Sequence, residues 1–243
     1  MNVFQIFITD AQHESDPLPV ALSSATDTVK QAFSDCKYTL FRNSEMKSII
    51  QNNFDSSVLA AFEGIIPYAY KSDLARYCIL YLFGGWYVDI GLKMLSPIRA
   101  DPQKDLIAFA DRGCPSCAPW AISNGLIYSK PQNIAIAKAI EAVCSNYRDR
   151  CYGQSPLDPT GPNLFGRVIA CHSHEMNTIF GEFRPLTYGL SLSNLMYITN
   201  SGRLVAQHKS SWLPGLEGGD FSALGAKGTN NYKQLWNTRA IYQ

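Results

Sequence analysis

The chain begins as an alternation of strand-like and helix-like segments, and this order limits the available folds more than any other feature. Val3 to Thr9 is rich in β-branched and aromatic residues and is closed by Asp10, so it reads as a buried strand. Ser23 to Phe33 has a helical pattern, Lys37 to Phe41 a second strand pattern, and Asn43 or Ser44 caps a further helix through Ile50. A β-α-β-α order calls for an α/β sheet with helices on its faces. Ligands of such sheets sit beyond the carboxyl ends of the strands. Phe7 to Asp10 is therefore the first place to expect a site.

A second unit carries more information. Ala69 to Phe83 is helical in pattern, with Pro67 before it, Leu74, Ile79 and Leu82 available to a core, and Gly84-Gly85 as a left-handed stop. The strand Trp86-Tyr87-Val88-Asp89-Ile90-Gly91 follows at once. Alternation puts Trp86, Val88 and Ile90 on one side, and Tyr87, Asp89, Gly91 and Lys93 on the other. Further strands are expected at 106–110 and 125–129, with a helix from Asn133 to about Tyr147. The Gly- and Pro-rich stretches 152–163 and 215–228 read as loops of the length often used as lids.

Composition narrows the function. The 243 residues are 46% hydrophobic and 17% charged, which excludes intrinsic disorder, and suffice for one large core. A formal charge of +1 lacks the basic excess of a nucleic-acid-binding protein, so any phosphate recognition must be local. The apolar runs are too short to span a bilayer, and Met1 to Thr9 reads as a strand, with no basic leader. Seven scattered cysteines do not form a secreted disulfide framework, which favours a reducing cytoplasm.

The chemistry-bearing residues converge on positions 71–93. Asp73 and Arg76 stand three apart on one helical face, and the Gly-Gly turn folds the strand bearing Asp89 back beside them. Two acids and a guanidinium suit a sugar nucleotide, in which hydroxyls donate to carboxylates and cations balance a diphosphate. On spacing alone an ordinary surface ion pair is the simpler reading of Asp73 and Arg76. Cys114-Pro115-Ser116-Cys117 has zinc-ligand spacing but lacks a matching second pair, so free thiols are the simpler reading. His172 and His174 read as surface or capping residues. Trp236, Ile241 and Tyr242, mixed with Lys233 and Arg239, could rest on the inner face of a membrane, but a C-terminal helix docking on the fold is preferred.

Lys71-Ser72-Asp73-Leu74-Ala75-Arg76-Tyr77 followed by Gly84-Gly85-Trp86-Tyr87-Val88-Asp89 resembles the signature of the DXD-containing, sugar-binding glycosyltransferases of family 32. That family is similar in fold to the large clostridial glucosylating toxins. Weaker likenesses are Gln5 to Ile8 at the opening strand, where the family usually has Trp at position 7, Ser123-Asn124-Gly125-Leu126, Thr160-Gly161-Pro162, and Ala206 to His208 through Ser211-Trp212. The resemblance implies a single α/β domain of GT-A type with a Rossmann-like mixed sheet. About 1–100 would bind the nucleotide sugar and about 101–243 would take the acceptor and close the site. It further implies a retaining transfer from a nucleotide-diphosphate sugar, expected to be UDP-linked, to a polysaccharide or oligosaccharide in the cytoplasm. A toxin-like effector acting on a host protein and a silent sugar-nucleotide binder are the rivals. Oligomeric state is not legible.

Residue by residue, the resemblance implies that Phe7, beside Ile8, stacks on the base, that Asp73 and Arg76 hold the donor sugar, and that Tyr87 contacts the nucleotide. Asp89 would reach the ribose and the metal shell, Asn124 would lie near the transferred sugar, Ser210 would approach the metal with His208 beside it, and Trp212 would meet the diphosphate. One departure stands out. The second Asp of the motif, which would ligate Mn²⁺ or Mg²⁺, is Gly91 here. A cationic side chain is the alternative partner for the leaving diphosphate. Lys93 is the first candidate, because it shares the face of Asp89, with Arg76 and Lys209 behind it.

Overall fold

The computed structural model describes residues 1–113, 117–187, 194–213, 216 and 218–243. Its elements run β1 (Asn2–Ile6), α1 (Val20–Ala32), β2 (Lys37–Phe41), α2 (Asn43–Asn53), α3 (Ser56–Gly64), α4 (Tyr68–Phe83), β3 (Gly85–Val88) and β4 (Lys93–Met94). They continue with β5 (Leu106–Asp111), β6 (Ile122–Ser129), α5 (Ile134–Arg148), α6 (Pro162–His172), β7 (Thr178–Pro185), β8 (Leu195–Ile198), β9 (Leu204–Gln207) and α7 (Tyr232–Asn237). The strands form one mixed sheet in the order β2-β1-β3-β6-β5-β7-β8-β9-β4. The α/β expectation therefore holds. Among the described residues no helix is long and apolar enough to cross a membrane.

Helix α4 organises the molecule. Tyr70 and every residue from Asp73 to Leu80 are buried, so this helix is enclosed on all sides rather than amphipathic. Leu74 and Ile79 are fully buried as expected, whereas Leu82 is half-buried. Phe4, Ile6 and Tyr87 from the sheet and Ile136, Ala139 and Phe165 from α5 and α6 join α4 in the main core. On the opposite sheet face Val3, Trp86 and Val88 pack with Val29 and Phe33 near α1. The Gly-Gly stop is dictated twice over. Both glycines have positive φ, and a Cβ at Gly84 would lie 2.6 Å from Pro131 Cδ, while one at Gly85 would lie 2.4 Å from Asn2 O.

Register brings the site together. β1 and β3 are parallel, with Val3 opposite Trp86 and Phe4 opposite Tyr87, so their carboxyl ends emerge side by side. β6 runs antiparallel to β3, with Val88 opposite Leu126, and its amino end delivers Ser123 and Asn124 to the same place. The Asp89 N–H donates to Gly125 O at 2.8 Å, and Gln5 Nε2 donates to Asp89 O at 3.2 Å.

Several boundaries differ from the sequence reading. β1 ends at Ile6, although Phe7 N still donates to Phe41 O at 3.0 Å. β3 ends at Val88 because the chain turns, with Leu92 N donating to Asp89 O at 3.0 Å. The 152–161 stretch is packed against α4. Tyr70 OH donates to Pro156 O, Tyr77 OH donates to Thr160 O at 3.1 Å, and Thr160 is 1% exposed. Helix α6 then begins inside the expected loop, on Pro162 in its first turn. At the C-terminus Ile241 and Tyr242 are buried, Ile65 and Tyr242 form an isolated β-bridge, and Trp236 Nε1 donates to Tyr152 O at 2.8 Å. The segment is thus docked on the fold. Cys114 to Ser116 and Gly215 lie outside the described residues. His172 Nδ1 pairs with Glu175 at 2.7 Å on the surface.

Candidate active site

Arg76 is the hub. It is 4% exposed, and its guanidinium lies over the Tyr87 ring, 4.4 Å from the centroid. Nε donates to Ser72 O at 3.0 Å and Nη1 to Asn124 O at 2.6 Å. Nη2 stands 3.2 Å from Asp73 Oδ1 and Nη1 stands 3.3 Å from Asp89 Oδ1. All three guanidinium nitrogens are therefore engaged within the protein.

The two acids play unequal parts. Asp73 Oδ1 also accepts from Asn124 Nδ2 at 2.9 Å, and Oδ2 accepts from Thr160 Oγ1 at 2.7 Å. Burial raises the Asp73 carboxyl, while Arg76 and the hydrogen bonds from Asn124 and Thr160 pull it the other way. Burial also works against the Arg76 charge, but Tyr87, Asp89 and Asp73 outweigh it and hold the guanidinium ionised. Asp89 is more open, with its side chain one-third exposed. Its Oδ1 accepts from Tyr87 OH at 2.8 Å. Asp73 thus fixes Arg76 from behind, and Asp89 is the acid that reaches the surface of the site.

A cleft of about 80 Å³ opens at this point. Phe7, Ile8, Arg76, Tyr87, Asp89 and His208, all expected site residues, line it. Asp73, Asn124, Lys93, Ser210 and Trp212 are not among its lining residues. Asp73 and Asn124 stand one layer back, touching Arg76. Ser72, Lys209, Phe221 and Thr229 complete the walls. Ser72 lies within the recognised motif, Phe221 lies in the glycine-rich stretch read as a closing loop, and Thr229 directly follows it. Their approach to Phe7 is a long-range contact with no local sequence signal. Phe7 meets Phe221 edge-on at 6.0 Å between centroids, and Arg42 lies 5.1 Å over the Phe7 ring. The ring expected to stack on a base is covered by these two side chains.

The expectation for the cations is corrected. Alternation put Lys93 beside Asp89, but the turn at Asp89–Leu92 breaks the period. Lys93 Nζ ends 4.0 Å from the centroid of the Trp212 ring. Lys209 takes the place foreseen for Lys93. Its stem packs against Gly91, where a Cβ would lie 2.9 Å from Lys209 Cδ and 3.0 Å from its Cβ.

The described residues do not fit a divalent ion. Asp89 is the only carboxylate among the described residues lining the cleft, and one of its oxygens is engaged by Tyr87 and Arg76. Burial and the adjacent Lys209 push the His208 imidazole down to about 3, so it is neutral. Its Nδ1 lies 2.8 Å from Ser210 Oγ and accepts from Ser210 N at 3.3 Å. Of the three expected ligands, Asp89 and His208 line the cleft and Ser210 does not. Among the described residues no group of three His, Cys, Asp or Glu side chains could hold a metal.

The family described as the glycosyltransferase sugar-binding region containing the DXD motif matches residues 13–110. Such glycosyltransferases generally use a divalent metal. No curated protein matches the chain significantly. Among solved structures, the chain resembles the PaToxG glycosyltransferase with a TM-score of 0.52 and 17% identity, over 70% of this chain and 68% of that one. The likeness is one of fold.

Proposed function

We propose that this chain, whose family match and fold support a glycosyltransferase of the DXD sugar-binding type, moves a sugar from a nucleotide-diphosphate donor, UDP-linked, to a hydroxyl of a polysaccharide or oligosaccharide acceptor. The observation that carries this reading is the convergence of Arg76, Tyr87 and Asp89 on one cleft at the carboxyl ends of β1 and β3, with Asp73 and Asn124 locking Arg76 in place. Regular elements supply Asp73, Arg76, Tyr87 and Asn124, and Asp89 directly follows β3, which favours the preorganisation that transition-state stabilisation requires.

Transfer breaks the bond between the anomeric carbon and a β-phosphate oxygen, and the electron pair stays on that oxygen. The acceptor hydroxyl bonds to the anomeric carbon, and its proton passes to the departing diphosphate, so retention needs no separate protein base. In this reading Asp89, held by Tyr87 OH and Arg76, accepts from donor hydroxyls and favours the positive charge that develops on the sugar ring. The N-terminal half, 1–100, contributes most of this wall and the remainder closes it. A toxin-like effector that glycosylates a host protein is compatible with the same site and fold.

The test is a panel of UDP- and GDP-sugars scored for protein-dependent nucleotide release. At least one donor is expected to be turned over above background. A protein that binds a donor yet releases no nucleotide is a silent binder, and the transferase reading then fails.

A further inference from the structure

We propose that Lys209 stands in for the divalent cation of this site, its ammonium binding the donor's diphosphate and stabilising it as the leaving group. The inference rests on the transferase reading above and adds how this chain meets the charge of its substrate.

Three observations converge. The first is steric. Gly91 occupies the position of the missing Asp, and the Lys209 stem fills the space a side chain there would need, since a Cβ at Gly91 would meet Lys209 Cδ at 2.9 Å. Loss of the acid and presence of the lysine are two sides of one contact. The second concerns charge. Arg76, the other cationic side chain lining the cleft, gives its nitrogens to Ser72 O, Asn124 O, Asp73 and Asp89, and His208 is neutral. No carboxylate of the described residues comes within ion-pair distance of Lys209 Nζ, which instead rests 4.8 Å from the centroid of the Phe221 ring. A cation–π contact yields readily to the charge-assisted hydrogen bond of a phosphate oxygen. The third is rigidity. Lys209 opens the short 3₁₀ turn Lys209–Ser211 directly after β9, with His208 as its cap. Its carbonyl accepts from Trp212 N at 3.1 Å and from Leu213 N at 2.7 Å. The stem is thus aimed from a fixed backbone.

Burial lowers the Lys209 ammonium, opposed by Asp89, so an incoming anion finds a partly desolvated charge. During transfer Lys209 keeps all its protons. It neutralises the electron pair left on the β-phosphate oxygen, and the acceptor proton goes to the diphosphate.

The test compares wild type, Lys209→Met and the pair Gly91→Asp with Lys209→Ala. Binding of UDP and GDP is measured by calorimetry, and nucleotide release from UDP- and GDP-sugars is assayed in EDTA and in Mn²⁺. Met keeps the apolar stem against Gly91, and circular dichroism checks the fold. Wild type is expected to bind and turn over in EDTA within threefold of its values in Mn²⁺. Lys209→Met should lose at least about tenfold in nucleotide affinity and about 10²-fold in turnover. The double variant, with an Asp restored and room made for it, should turn over only in Mn²⁺. Wild-type turnover abolished by EDTA and restored by Mn²⁺, or Lys209→Met indistinguishable from wild type, overturns the role of Lys209 and leaves the transferase reading standing. Absence of turnover with every donor under both conditions overturns both.

Discussion

On one side of the cleft, Asp73 and Arg76 hang from a helix enclosed by the core and are fixed by Asn124, Thr160, Ser72 and Asp89. On the other, Lys209 rests on a phenyl ring, and Phe221 closes over Phe7 from a loop pinned by Thr229 Oγ1 donating to Asp220 at 2.7 Å. The first wall is tied by hydrogen bonds and ion pairs within a low-dielectric interior, so removing one partner leaves another buried and uncompensated. The second is held by apolar contact and by a cation that forms no ion pair among the described residues, so its groups can change partners at small cost. Such a division suits a site that must hold a sugar in one geometry and yet admit and release a bulky anion.

The contrast is broken most severely at Arg76. Arg76→Met keeps volume but strands the Asp73 carboxylate, and unfolding free energy should fall by about 3–5 kcal/mol, read from the urea midpoint. A loss below about 1 kcal/mol would mean that the network is not what fixes this wall. Arg76→Lys should recover little, because one ammonium cannot reproduce the forked contacts to Asn124 O, Asp73 and Asp89.

Asp89 comes next, and its effect should fall on rate rather than on stability. Its side chain is one-third exposed, and removing it leaves Arg76 still paired with Asp73. Asp89→Ala should lower nucleotide release by about 10²–10³ while the circular dichroism spectrum stays native. Turnover within threefold of wild type would remove Asp89 from the reacting centre.

These two expectations lean on a part of the chain that reads well from sequence, and the reason is local. Pro67 and Gly84-Gly85 bracket α4, and two positive-φ glycines admit no other residue without a clash, so helix, turn and strand are encoded within a span of neighbours. Asp73 and Arg76 share a face for the same reason. The rest depends on contacts distant in sequence. β7 alternates poorly, with exposed and half-buried residues mixed along Thr178–Pro185, and α6 hides behind the Gly- and Pro-rich run that ends in its own first turn. Strict strand alternation carried past Asp89 favours Lys93 over Lys209, and the turn there cancels it. The packing of Lys209 on Gly91 joins two segments that no periodicity relates. That Asp73 is enclosed while Asp89 is open follows from Thr160 and Asn124 arriving from elsewhere in the chain.

The smallest expected effect lies in the loop wall and sharpens the comparison from its softer side. A cleft of about 80 Å³ is well below the roughly 300–1,000 Å³ of sites that enclose drug-sized ligands, so a nucleotide sugar must displace something. Phe221 is the candidate. It is 8% exposed, it covers Phe7, and it belongs to a small satellite cluster with Leu22, Ile90 and Ala226 rather than to the main core. Phe221→Ala should therefore speed UDP association several-fold in stopped-flow measurements and raise amide exchange across 218–229, with a smaller loss of global stability than Arg76→Met causes. Truncation also removes the ring on which Lys209 rests, leaving the ammonium without that competitor for phosphate. An unchanged association rate would show that access is set at the polar wall, which would erase the functional distinction between the two sides while leaving their structural difference intact.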